Sequence, residues 1–449
     1  VSLRQALVDW WQDNLLRRVV RDSSYLFSSN TASAALSFAQ GIFAVRLLGI
    51  DGFGLVSGTI IVFASNINRL LSFRMSEVVV KYLGEALVAG KRERAAAVTK
   101  GVGLVEAATS LLAFLILLAL APWAARTLGK DIQTAPLFAF YGLVLISNLV
   151  YETSTGVLQA TKRFDRIAAI NLIQSAVTAA IILAAFLLKR SVFEVLAAYL
   201  LGKTFAGVAI ALSAFSQLNR TLERGWWRAR LSLLSDWRRI AGFAVSTNLN
   251  GTVNLIVRDN MPLYLAAFRP QAEVGYFKLA LSIINLVMLP IEPFIWPTYA
   301  EITRTIAQRQ WRTTRRLLKR VSTIAGVWTL AAGGGLAALG WWLIPLIYRP
   351  ESEPAYPALL ILLVGFGLAN VLHWNRPLLL ALGKPTFPVI VAAIVGALEI
   401  GLTFWLVPQY GYLAESAIFS GFFVLSIGVI VWRGLTTIKR QESIGNSSA

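Results

Sequence analysis

Apolar stretches of about 20 residues recur along the chain, separated by short polar segments. That is the length a helix needs to cross about 30 Å of hydrocarbon. The pattern predicts spans near 25–47, 53–75, 97–121, 135–160, 166–188 and 193–216, then near 240–263, 274–298, 319–346, 356–380, 386–407 and 411–432. Residues 1–24 read differently. Leu3, Leu7, Trp10, Trp11, Leu15, Val19 and Val20 fall at helical spacing against Arg4, Asp9, Asp13, Arg17 and Arg18, which predicts an amphipathic helix in the membrane interface rather than a signal peptide. Residues 217–239 interleave Trp226, Trp227, Leu231, Leu233, Leu234 and Trp237 with arginines, and predict a surface-lying amphipathic linker between lobes 25–216 and 240–432. A polar tail, 433–449, closes the chain.

The two halves share a grammar. Arg46-Leu47-Leu48-Gly49-Ile50-Asp51-Gly52-Phe53-Gly54-Leu55 joins one span to the next, and Ala266 to Leu279 (Ala-Ala-Phe-Arg-Pro-Gln-Ala-Glu-Val-Gly-Tyr-Phe-Lys-Leu) does so about 221 residues later. Val157 to Lys162 is echoed by Leu379 to Lys384 at the same offset. Basic loops follow the even-numbered spans: Lys91, Arg92, Arg94 and Lys100, then Lys162, Arg163 and Arg166, then Arg220 to Arg239, then Arg304 to Arg320. The opposite loops are short and carry few cations. Both termini are therefore expected in the cytoplasm. With six spans per half, the repeat is parallel, about an axis along the membrane normal. The expected fold is an all-α integral membrane protein, with about twelve transmembrane helices in two parallel six-helix halves around a central cavity.

Composition sharpens this. Of 449 residues, 56% are hydrophobic and 14% charged, too apolar for a soluble domain of that size. The net charge of +19 sits in the loops as a topology signal. With no basic soluble domain to carry it, nucleic acid is not an expected partner. The chain has no cysteine and a single histidine, His373, so thiol chemistry and Cys- or His-rich metal sites are excluded; no metal or cofactor is expected.

Charged groups inside hydrocarbon are costly and usually functional. Arg258 and Asp259 sit together in span seven, with Lys278 early in span eight; Asp259 either pairs with one of those cations or serves a cavity. His373, Asn375 and Arg376 lie in span ten before Pro377. Arg376 either meets a phosphate bidentately or snorkels or pairs with Glu152, while His373 either hydrogen-bonds a neighbour or relays a proton. Lys203 stands alone in span six. Arg74 is either an inner-mouth phosphate ligand or a boundary marker, and Arg69 reads as a boundary. Glu106, Glu292, Glu399 and Glu415 are candidates for proton or sodium exchange. Glu292 lies in Pro290-Ile291-Glu292-Pro293 with Pro297 beyond, which predicts a broken or bent helix.

With these residues in view, the chain resembles the polysaccharide-export branch of the multidrug/oligosaccharidyl-lipid/polysaccharide exporter superfamily, specifically O-antigen or exopolysaccharide repeat-unit flippases. The match is carried by Arg46 to Leu55, Gly156 to Ala160 with Arg163-Phe164, Asp259-Asn260 to Phe277, and Pro290 to Pro297. The resemblance implies no enzyme. It implies transfer of an undecaprenyl-diphosphate-linked oligosaccharide from the inner to the outer leaflet of the bacterial inner membrane by alternating access. Arg376, Lys278, Arg258, Lys203 and Arg74 are then the cationic-cavity candidates by position, and Asp259, Glu152, Glu292, Glu399 and His373 the candidates for ion coupling or pairing. Membrane lipid, H+ or Na+ and a glycan polymerase join the lipid-linked glycan as candidate partners. The rival readings are a drug or cation antiporter of the same superfamily and a membrane glycan polymerase or ligase. The first wants an anionic cavity, and the second a large external loop that this chain lacks.

Overall fold

The computed structural model describes residues 14–71, 75–234 and 236–447. Arg74, and residues 1–13 of the expected interfacial helix, lie outside the described residues. The described chain is helical, and among its helices nine are long and apolar enough to cross a membrane, or ten when Gln271–Met288 and Glu292–Ala307 are joined across their 49° bend. Two of the ten are double. The helix Asn14–Phe53 contains Gly49 at φ 72°, and Thr386–Ser447 contains Gly411 at φ 66°. Left-handed backbone is where glycine interrupts a helix at little cost, so each run divides there into two spans. Among the described residues the total is twelve, in two halves of six.

The repeat is visible in the backbone. Left-handed residues recur in pairs: Gly90 with Arg309, Lys162 with Gly383, and Lys189 with Gly411. Each pair closes a helix at the same place in its own half. Span three (Arg92–Thr127) and span nine (Trp311–Ile347) are the long members of each half. Spans four and ten are both broken, into Ala135–Ser147 and Tyr151–Ala160, and into Ala355–Val371 and Asn375–Ala381. The proline cluster bends span eight as expected: Leu289–Phe294 is a 3-10 turn containing Pro290 and Pro293. The linker differs from expectation. It forms two 3-10 turns, Trp226–Arg228 and Leu231–Leu233, rather than a continuous helix. Gly225 at φ 95° breaks the chain after span six, and Leu231 and Leu234 settle against Gly101 of span three.

By contact the chain forms two compact units, residues 1–40, 63–125 and 131–252, and residues 41–62, 126–130 and 253–449. The first is built on Tyr82, Leu83, Val157, Leu158 and Ile210, all buried. Its helices approach closely at glycines: a side chain at Gly156 would strike the backbone of Ser76.

The second unit contains a seam in which the two copies of the repeated loop meet. A Cβ at Gly54 would lie 2.1 Å from the Gln271 carbonyl oxygen, and one at Gly275 would lie 2.4 Å from that of Ile50. Gly54 and Gly275 are equivalent in the repeat, as are Ile50 and Gln271, so the contact is reciprocal. Backbone approaches this close are available only to glycine. Polar bonds flank them. Arg46 donates to the carbonyls of Ile347 (2.7 Å) and Leu346 (2.9 Å). Thr59 donates to Gln271 Oε1 at 2.8 Å, the Gln271 amide reaches the Leu128 carbonyl, and Lys130 reaches that of Ala267 at 2.6 Å.

Candidate functional site

Each unit carries its own polar site. In the first, span four breaks at Asn148–Val150, and the new helix begins at Tyr151 with no side-chain cap of its own. The first N–H groups of any helix lack intrahelical partners. Here Glu106, reaching over from span three, accepts from the amides of Glu152 (2.8 Å) and Thr153 (2.7 Å). A buried carboxylate thus caps a helix start within the membrane-spanning bundle, where helix polarity favours negative charge. The opening left by the break is a polar chamber of about 210 Å³. Its polar lining comprises Ser65, Asn68, Arg69, Glu106, Tyr141, Asn148, Tyr151, Glu152 and Lys203. Glu152 accepts from the Ser76 hydroxyl. Lys203 stays solvent-accessible and forms no ion pair among the described residues. It is a cation of a polar chamber that also holds the carboxylates of Glu106 and Glu152.

The second unit gathers Arg258, Asp259, Lys278, Arg376, Glu399 and Glu415. Arg258 lies within electrostatic reach of Asp259, Glu399 and Arg376, and its guanidinium stands over the Phe423 ring at 5.1 Å, a favourable cation–π placement. Span seven is unwound here into a π-turn, Leu255–Asp259, before Met261–Phe268 resumes. Lys278 faces Asp259. Arg376 is exposed, close to a second arginine, and unpaired among the described residues. Glu399 and Glu415 are neighbours, buried, and without hydrogen-bond partners on any carboxyl oxygen. Thr403 stands near Glu415 without closing a hydrogen bond. His373 donates through Nδ1 to the Asn370 carbonyl at 3.2 Å and leaves Nε2 unpartnered. Glu292 sits on the exposed 3-10 turn of span eight and outside this group.

Asp259 lies within electrostatic reach of both Arg258 and Lys278, the two cations the spacing offered it, and Arg376 lies within reach of Arg258, which the spacing did not suggest. The structure also places Arg69 in the first chamber rather than merely at a boundary. Two features escaped the sequence reading: the capping role of Glu106, and the lining by Tyr141, Asn148 and Tyr151. A lone carboxylate in span three and an asparagine in the middle of span four were the available signals. No group of three or more metal-ligating side chains occurs among the described residues.

Two six-span halves, broken spans four and ten and a bent span eight give a fold similar to that of solved members of the multidrug/oligosaccharidyl-lipid/polysaccharide exporter (MOP) superfamily. An inward-facing multidrug resistance MATE transporter of that superfamily superposes with a TM-score of 0.73 at 16% identity, covering 93% of this chain and 96% of that one. The lipid II flippase MurJ, in an inward closed conformation, gives 0.70 at 14% identity over 91% and 87%. A superfamily transporter from Pyrococcus furiosus gives 0.63 at 15% identity over 95% and 96%. At the sequence level, the model of a polysaccharide biosynthesis protein family matches residues 43–351, and the chain belongs to that family. Among curated proteins it is similar to the inner membrane protein YghQ of Escherichia coli K12, 26% identical over 368 residues, covering 77% of this chain and 97% of the relative.

Proposed function

We propose that the protein is a flippase moving an undecaprenyl-diphosphate-linked oligosaccharide, an O-antigen or exopolysaccharide repeat unit, from the inner to the outer leaflet of the bacterial inner membrane by alternating access. The observation that carries this reading is Arg376, exposed and in no ion pair among the described residues, within electrostatic reach of Arg258. Asp259 and Glu399 offset part of the charge of Arg258, and the cation left over at Arg376 favours an anion at this cluster. A diphosphate meets both arginines through charge-assisted, bidentate hydrogen bonds. The first unit has a polar chamber of its own, in which Lys203 is an unpaired cation among the described residues and Asn68, Tyr141, Asn148 and Tyr151 offer groups suited to glycan hydroxyls. The match to a polysaccharide biosynthesis family supports a role in handling glycan, and the likeness to YghQ supports the inner-membrane location. The reaction requires no covalent step, so these residues act by binding alone.

The cycle also needs a drive. Glu399 and Glu415 are expensive to keep as two adjacent anions without donors, and one proton or one monovalent cation relieves the pair. Binding of that ion beside Arg258 would alter how strongly the arginine meets the diphosphate, which couples ion to substrate. In a strain whose chromosomal copy is deleted, Arg376→Ala and Lys203→Ala are expected to remove surface glycan by at least tenfold at unchanged protein abundance. Glu399→Gln with Glu415→Gln is expected to leave a residual output insensitive to collapse of the proton or sodium gradient. Wild-type glycan from the two cation variants would remove the proposed binding role. Normal glycan from the full deletion, without a redundant homologue, would remove the function.

A further inference from the structure

At the end of the first unit that carries the basic loops, the inner ends of spans two, three and seven and the linker line a groove of about 450 Å³. Its wall is apolar throughout, including Val98, Gly101, Val102, Leu231, Leu234 and Trp237. Along span three, Val98, Gly101, Val102 and Val105 recur at the spacing of one helical face. The opposite wall is the two leucines of the linker turn, set against Gly101 where a side chain would collide with Leu234 at 2.9 Å. Trp237 is 59% exposed at the rim.

The charge around this groove identifies its occupant. The linker carries Arg228, Arg230, Arg238 and Arg239, all exposed and none in an ion pair among the described residues. Two acids of this region are engaged with other arginines: Asp236 with Arg94 at 2.7 Å, and Glu223 with Arg92. Trp227 and Trp237 mark the depth of an interface, where amphipathic rings collect. Uncompensated arginines at that depth attract anionic lipid headgroups. The groove lies within the size range of small-ligand pockets, about 300–1,000 Å³. One acyl chain fits it, whereas a polyprenyl tail would overrun it.

We infer that the groove between span three and the linker is a binding site for one anionic phospholipid, with an acyl chain along Val98–Val105 and the headgroup on Arg238 and Arg239. The lipid completes the packing of the linker turns, which hold span three through Leu231, Leu234 and the hydrogen bond of Lys100 to the Ala229 carbonyl at 3.0 Å.

Native mass spectrometry of the full chain, released from micelles doped with palmitoyl-oleoyl phosphatidylglycerol or phosphatidylethanolamine, tests this. The wild type should retain one phosphatidylglycerol, at least tenfold in preference to phosphatidylethanolamine. Gly101→Leu, which fills the groove, should lower that retention at least tenfold. Arg238→Gln with Arg239→Gln, at exposed positions that leave the fold intact, should abolish the headgroup preference, so the inference stays testable if the filled variant does not fold. Undiminished retention in folded Gly101→Leu, or preserved preference in the arginine variant, would overturn it. So would displacement of phosphatidylglycerol by a polyprenyl phosphate at equal concentration, which would make the groove a track for the substrate's tail.

Discussion

Replacing Glu106 with alanine should destabilise the protein by about 2–6 kcal/mol, because two amides at the start of a buried helix lose their acceptor and each unsatisfied group costs about 1–3 kcal/mol. The distances of 2.7 and 2.8 Å leave little slack for a neighbour to take over. The chamber gives water access to part of the gap, which places the expected value inside that range rather than above it. Glu106→Gln separates this cap from simple charge. Both substitutions remove the repulsion between Glu106 and Glu152, but glutamine keeps one accepting oxygen and should lose about half as much. Thermal unfolding of the detergent-solubilised protein, followed by tryptophan fluorescence, reads the difference. Equal melting temperatures for the alanine and glutamine variants would show that the cap contributes nothing.

The second large effect belongs to the seam. Gly275→Ala and Gly54→Ala each drive a methyl group into a backbone carbonyl, and a backbone on both sides cannot rotate away as a side chain would. Overpacking of well-packed sites typically costs about 1–3 kcal/mol, and these substitutions should reach or exceed that range. Gly41→Ala is the control: it has open space around it, and removing a glycine from a helix interior normally gains about 1 kcal/mol. The absence of cysteine makes a second measurement clean. A single Ile50→Cys thiol, at a position only 3% exposed, should label slowly with maleimide in the otherwise unaltered protein and at least tenfold faster alongside Gly275→Ala. Equal labelling rates would mean that the seam does not depend on the glycine pair.

Much of this architecture was legible in the residues. Twelve apolar stretches gave the spans, because bilayer thickness fixes helix length and leaves the chain few alternatives. The repeated loop was visible as Phe53-Gly54-Leu55 and Val274-Gly275-Tyr276, yet the reciprocal contact between the copies was not. A repeat in sequence says that two segments adopt one conformation; it does not say that they touch. The proline cluster around Glu292 correctly announced a bent span, since proline removes a helix donor whatever surrounds it. The broken spans four and ten carry no comparable marker at Asn148–Val150. That break depends on Glu106, forty-odd residues away, and only tertiary structure supplies it. Similarly, the linker's amphipathic pattern suggested a helix, but Gly225 in a left-handed conformation and the pull of Leu231 and Leu234 toward Gly101 broke it into turns. Among the charged residues, sequence could place Arg258, Lys278 and Arg376 in the membrane but could not tell which would meet. Their depth was a matter of counting, whereas the face each turned toward was not.

The central claim is that unpaired cations inside the bundle bind a lipid diphosphate. Its most direct test is the affinity of the purified protein, in nanodiscs, for a short-chain polyprenyl diphosphate, measured for the wild type, Lys203→Ala and Arg376→Ala at two salt concentrations. A charge-assisted hydrogen bond is worth about 1.5–3 kcal/mol, so each substitution should weaken binding by about tenfold or more. Added salt should weaken the wild type more than either variant. Affinities that stay within a factor of two across the three proteins would contradict the claim.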